Sequence, residues 1–208
     1  MAKQLKRTCV CEACNNEWMS GIQSAVKPYL VPMLNGASIE LSRRTQRLLA
    51  AWVAMATMCA EYTDRQTVAI AQTDRDRLFD AQVPPSHWRI MLGRFKRGTW
   101  RGYYVHNVLP FVEENAPKAK PGTLTPPNTQ TTTLVVGEVY FHVMSSTIAR
   151  RMIKRWRFPD AVAPFLTQLW PITGNLVWPP VQTMGDNEAE IVANHFYSRV
   201  IETFMDAN

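Results

Sequence analysis

The stretch "RRTQRLLAAWVAMATMCAEYTD", residues 43–64, decides how the rest of the chain is read. Leu48, Leu49, Trp52, Val53, Met55, Ala56 and Cys59 recur near a 3.6-residue period, and their neighbours are apolar almost all round. This pattern predicts a central buried helix. Ser42 stands where a hydroxyl can accept a bond from the first-turn amides and cap it. The apolar run at 48–60 is too short to span a bilayer. Arg43, Arg44 and Arg47 sit at the helix N-terminus, where the dipole disfavours cations, so they are candidates for contact with an anionic partner beside the plainer reading of a solvated helix end.

A buried helix needs something to bury against. Residues 87–95, 100–112 and 133–144 ("HWRIMLGRF", "WRGYYVHNVLPFV", "TLVVGEVYFHVM") are rich in aromatic and β-branched residues and predict strands of an antiparallel sheet. Val135, Glu138, Tyr140 and His142 do not follow one alternation, so the faces of the third segment are open. A short helix is expected at 74–82, a strand and Pro-bounded turn at "LWPITGNLVWPP", and an amphipathic helix with acids in its first turn over 186–205. The segment "WMSGIQSAVKPYLVPMLNG" carries Pro28 and Pro32 and predicts a short helix followed by an extended piece. The expected fold class is α+β: a buried central helix and a C-terminal helix against an antiparallel sheet. The domain reading is a cysteine knuckle with its short helix over 1–36 and an α+β domain over 37–208, with a mobile loop near 113–132 where Pro, Gly, Thr and Lys replace apolar residues.

With 208 residues and 46% hydrophobic side chains, the chain can build a sizeable core and is not a disordered polymer. A formal net charge of +6 favours polyanionic or acidic partners. No apolar run follows the basic start "MAKQLKRT", so neither a secretory leader nor a membrane partner is expected, and the cytoplasm is the expected location.

The charge is concentrated in "SSTIARRMIKRWRFPD", where Arg150, Arg151, Lys154, Arg155 and Arg157 follow one another without an acid. On a helix beginning near Ser146, residues 150, 154 and 157 share a face and 151 and 155 flank it. Like charges so spaced repel unless an anion covers them. With Trp156 interleaved, the stretch suits phosphate contacts plus stacking, or docking on an acidic protein surface. A solvated helix face with Trp156 turned to the core is the plainer alternative. Tyr103, Tyr104 and Trp100 near Lys96, Arg97 and Arg101 form a second, weaker candidate surface.

Cys11 and Cys14 in "CVCEACNNEWMS" are half of a tetrahedral zinc site, which needs two more ligands. Cys9 is the candidate third, and His87, His106, His142 or His195 the candidate fourth; reduced cysteines without metal are the other reading. His106 and His142, on different strand segments, are candidates to meet across the sheet, while His87 beside Trp88 reads as packed or solvated rather than as a base.

"CEACNNEWMS" resembles the CxxCNNGWMS signature of bacterial HNH endonuclease-like proteins. The similarity extends through "LAAWVAMATMCAEY", "PPSHWRIMLGRF", "LWP" and "VWPP", from about Cys9 to the last helix. The resemblance implies a zinc knuckle completed by an upstream CxxC pair, and a histidine general base in a KEHVxPxWL-like stretch. The residues before Cys9 carry neither, and Glu17 stands where the signature has glycine. The expectation is therefore a non-catalytic, degenerate nuclease-like protein that binds nucleic acid or a nucleic-acid-processing complex, an inhibitor of bacterial defence of anti-CRISPR type being one concrete form. A metal-dependent HNH-type DNA endonuclease, with a recruited base or a partner chain, is the rival class.

Overall fold

In the computed structural model, residues 10–96, 98–99, 103–112 and 125–206 are described. Helix α1 (Glu12–Cys14), a π turn over Asn15–Met19 and α2 (Ser20–Leu34) form one continuous helical run. Contrary to the short helix expected, α2 passes through both prolines. They are four residues apart and fall on the outer face with Ser24 and Lys27, while Ile22, Val26, Leu30 and Met33 face the core. The carbonyls that lose an amide partner therefore lie toward water, which can replace the bond.

β1 (Ile39–Leu41) leads into α3 (Arg43–Ala60), whose cap is as expected: Ser42 Oγ accepts from the Thr45 amide at 3.2 Å. Thr45, Leu49, Ala50, Val53, Ala54, Thr57 and Met58 make the buried face of α3. Short 3₁₀ turns at Glu61–Thr63 and Arg65–Thr67 lead to α4 (Gln72–Ala81), which Gln82 closes in the left-handed conformation.

The sheet follows: β2 (Arg89–Phe95), β3 (Tyr104–Leu109), β4 (Thr129–Val136), β5 (Val139–Ser146), then α5 (Arg150–Arg155), β6 (Thr167–Trp170), β7 (Leu176–Trp178), β8 (Thr183–Met184) and α6 (Asp186–Asp206). Strand order is β3-β4-β5-β2-β6, all antiparallel, with β8 pairing parallel to β2; β1 and β7 form a separate two-stranded ribbon. The fold is α+β, as expected.

Residues 133–144 are not one strand. Gly137, at φ 58°, and Glu138 turn the chain between β4 and β5, and this two-residue loop explains why no single alternation ran through the segment. Leu34 O lies 2.8 Å from where a Cβ on Gly137 would stand, so α2 presses on the turn. The expected loop near 113–132 is also shortened. Residues 129–132 belong to β4 and are buried, because Thr is β-branched and the side chains of Thr129, Gln130 and Thr132 find partners inside; residues 113–124 lie outside the described set.

Two cores flank the sheet. On one face Ile90, Leu92, Phe141 and Val143 pack with α2 and α3; on the other Met91, Phe95, Tyr140 and Met144 pack with Ile153 of α5 and Ala189, Val192 and Phe196 of α6. The helical run through 34 thus shares its core with α3.

Candidate functional site

The expected cysteine knuckle is a helix start. Cys11 caps α1, its Sγ accepting from the Cys14 amide at 3.3 Å, and Cys14 follows one turn later. That bond, with others from the same turn, holds the exposed Cys11 thiol below its ordinary pKa. Both cysteines line a cavity of about 390 Å³ that is otherwise mostly apolar, with Trp18, Met55, Met58 and Phe79 in its walls. Trp18 and Phe79 meet edge to face at 5.7 Å. Cys59, which the sequence pattern assigned to the packed face of α3, lines the same cavity.

At its rim Arg75 pairs with the fully buried Glu61, whose Oε2 accepts from the Ala69 and Ile70 amides at 3.0 and 3.2 Å. Glu61 thereby closes the loop after α3. For zinc, Cys11 and Cys14 fit as two of four thiolates, and Cys9 lies outside the described residues. Among the described residues no group of three His, Cys, Asp or Glu converges as a metal-ligand set.

The histidines named as candidate ligands occupy different surroundings. His106 and His142 do not meet: β4 separates their strands, and the register puts them on opposite faces. His106 bonds to Thr132 Oγ1 at 2.7 Å and to Thr67 O at 2.9 Å on the α3 face. His142 bonds through Nδ1 to Thr133 Oγ1 at 3.0 Å on the other face, where burial drives its pKa down to about 3 and keeps the ring neutral. His87 Nε2 pairs with Asp74 Oδ2 at 3.1 Å, which also accepts from Trp88 Nε1 at 2.8 Å.

The basic stretch is shorter as a helix than expected. α5 begins only at Arg150, because Ser146 ends β5 and its Oγ accepts from the Ile148 and Ala149 amides. Trp156 ends the helix in extended conformation, so Arg157 follows it rather than continuing its face. Arg150, Arg151, Lys154, Arg155 and Arg157 are all exposed, and among the described residues none of them has an ion-pair partner. Ile153, fully buried, pins this charged turn to the sheet.

Trp156 does not offer a stacking platform. Its ring packs against Phe196 at 4.6 Å and His195 at 5.4 Å, because α6 covers it. Arg43, Arg44 and Arg47 are exposed at the start of α3, which packs on the opposite face of the sheet from α5, so the structure separates the two basic groups. Of the weaker surface, Tyr104 stacks on His106 at 6.1 Å, while Arg97, Trp100 and Arg101 lie outside the described residues.

No helix among the described residues is long and apolar enough to cross a membrane. Comparison with protein-family models, with curated proteins and with solved structures finds no match to this chain.

Proposed function

We propose that this protein binds nucleic acid without cleaving it, through the cationic turn of α5, as a degenerate member of the nuclease-like class it resembles. One observation carries the reading: Arg150, Arg151, Lys154, Arg155 and Arg157 are presented together on a six-residue helix and its exit, exposed and without an acidic partner among the described residues. Mutual repulsion makes such a cluster unfavourable in isolation, and phosphates relieve it while releasing counterions. The chain's net charge of +6 adds a long-range field that draws a polyanion in.

A gel-shift series on duplex and single-stranded DNA and RNA across salt concentrations tests this. Binding is expected to weaken with salt, and replacing Arg150, Arg151, Lys154 and Arg155 by Ala is expected to flatten the log–log slope by about 0.7–0.9 for each phosphate that is no longer neutralised. Metal-dependent cutting in parallel lanes with Mg, Mn or chelator would make the protein an enzyme instead. No shift with any nucleic acid would redirect the search to an acidic protein partner in a nucleic-acid-processing complex.

A further inference from the structure

Beneath α5, on the sheet face covered by α5 and α6, lies a set of buried donors with no partner among the described residues. Arg89 and His142 share this face, since Arg89 pairs with Met144, and Met91, beside His142, points the same way. The Phe158 ring touches both, its centroid 5.7 Å from that of His142 and 5.8 Å from the Arg89 guanidinium carbon. Arg89 Nη1 donates to the Trp156 carbonyl where α5 ends. The polar atoms left without a partner are Arg89 Nε, His142 Nε2 and Trp156 Nε1. His142 is 0% exposed.

The charge on this face is equally unbalanced. Arg89 has no ion-pair partner among the described residues, and burial lowers its pKa, which marks a cation short of compensation. Four acids of α6 bond away from Arg89: Asp186 accepts from Thr99, Glu188 from the Gly185 amide, Glu190 from Asn194, and Glu202 from Arg199. With Nη1 engaged, the free edge of the guanidinium is Nε with Nη2, the pair of parallel donors that grips an oxyanion in two places. Buried donors of this kind are completed in folded proteins by water or an ion, and an uncompensated cation selects the ion.

We propose that Arg89, Trp156 and His142 form a receptor for one phosphate-type oxyanion, roofed by the end of α5. Arg89 supplies the charge and the bidentate edge, and Trp156 Nε1 supplies a neutral donor. His142 Nδ1 bonds to Thr133 Oγ1 at 3.0 Å, and in the tautomer that carries the proton on Nε2 this neutral ring donates as well. The receptor deepens the nucleic-acid reading by adding a site for a single phosphate group, but it uses different residues from the exposed cations, so the two can fail separately. The phosphate can be free or the terminal group of a nucleic acid.

Titration calorimetry and thermal melts with inorganic phosphate, against chloride at matched ionic strength, test the receptor on the full chain. Phosphate at about 10 mM is expected to raise the Tm through binding to the folded state. Trp156→Phe, which keeps an aromatic ring against Phe196 and removes the donor with its five-membered ring, is expected to weaken phosphate binding about tenfold. Arg89→Lys, which keeps the charge and loses the bidentate edge, is expected to weaken it further.

The four-fold α5 variant should lose oligonucleotide and keep inorganic phosphate. A 5′-phosphorylated oligonucleotide that binds more tightly than its 5′-hydroxyl counterpart, with the difference abolished by Arg89→Lys, would assign the terminal phosphate as the source; equal binding of the two, with the inorganic phosphate effect intact, would assign the free anion. No phosphate effect on the wild-type protein, or an effect unchanged in both Trp156→Phe and Arg89→Lys, overturns the receptor and leaves water as the partner of these donors.

Discussion

The two faces of the sheet differ in how their polar groups are completed. On the α3 face an apolar centre of Ile90, Leu92, Phe141 and Val143 is bordered by a chain of bonds that runs from Ser145 through Gln130 and Thr132 to His106 and out to the Thr67 carbonyl. On the α5–α6 face Tyr140 donates to the Ala189 carbonyl at 3.0 Å, but Arg89, His142, Trp156 and Thr131 each keep a buried polar atom without a partner among the described residues. The first face is a structural core whose polar border is bonded along this chain, and its orphaned atoms, Trp18 Nε1, Trp178 Nε1 and Gln46 Oε1, lie outside that chain. The second has the character of an unfinished site, and it is also the face that carries the exposed cations of α5.

The largest expected effect breaks the first face. Phe141→Ala removes a fully buried ring packed near Trp52 and should cost about 3–5 kcal/mol in denaturant unfolding; a loss under about 1 kcal/mol would mean this face is loosely packed.

Acid should strike the second face. Folded His142 stays neutral down to a pKa of about 3, whereas the unfolded ring takes its proton near 6.5. The unfolded state therefore binds more protons between those values, and stability is lost as pH falls below 6.5 toward 3, at a limiting slope of about 1.4 kcal/mol per pH unit. Comparing unfolding free energies at successive pH values for the wild type and His142→Asn isolates this share from that of the carboxylates. Identical slopes in the two proteins would show that the ring is solvated.

A smaller effect is expected at Tyr140, where Phe would leave the ring in place and free the Ala189 carbonyl, costing about 1–2 kcal/mol by chemical denaturation. No loss would sharpen the contrast further, by showing that polar bonds on this face contribute nothing to stability. The smallest effect is chemical. Under chelator at neutral pH, Cys11 should alkylate faster than Cys14 or Cys59, because it is exposed and its thiol pKa is lowered by the helix-start bonds. Peptide mapping after iodoacetamide reads this directly, and a Cys59 that reacts first would reverse the assignment.

Periodicity made α3 and α6 legible, and β-branched and aromatic runs made most of the sheet legible, because both signals are local and repeat over several residues. The hairpin at Gly137 was hidden in a run of strand-forming residues whose turn is only two residues long. The prolines of α2 misled for a related reason: their cost depends on which face they occupy, and that is set by what packs on the other side.

The candidate sites divide along the same line. The residues themselves determined that the chain is strongly basic, that its charge gathers between 150 and 157, and that Cys11 and Cys14 stand three positions apart. Tertiary structure alone turned Trp156 into the protein, sent His106 and His142 to opposite faces, brought Cys59 to the cavity of Cys11 and Cys14, and left Arg89 half-buried without a counter-charge among the described residues. Strand register and layer packing decide these relations. They join residues tens of positions apart, and no local pattern of residue types encodes which of them will meet.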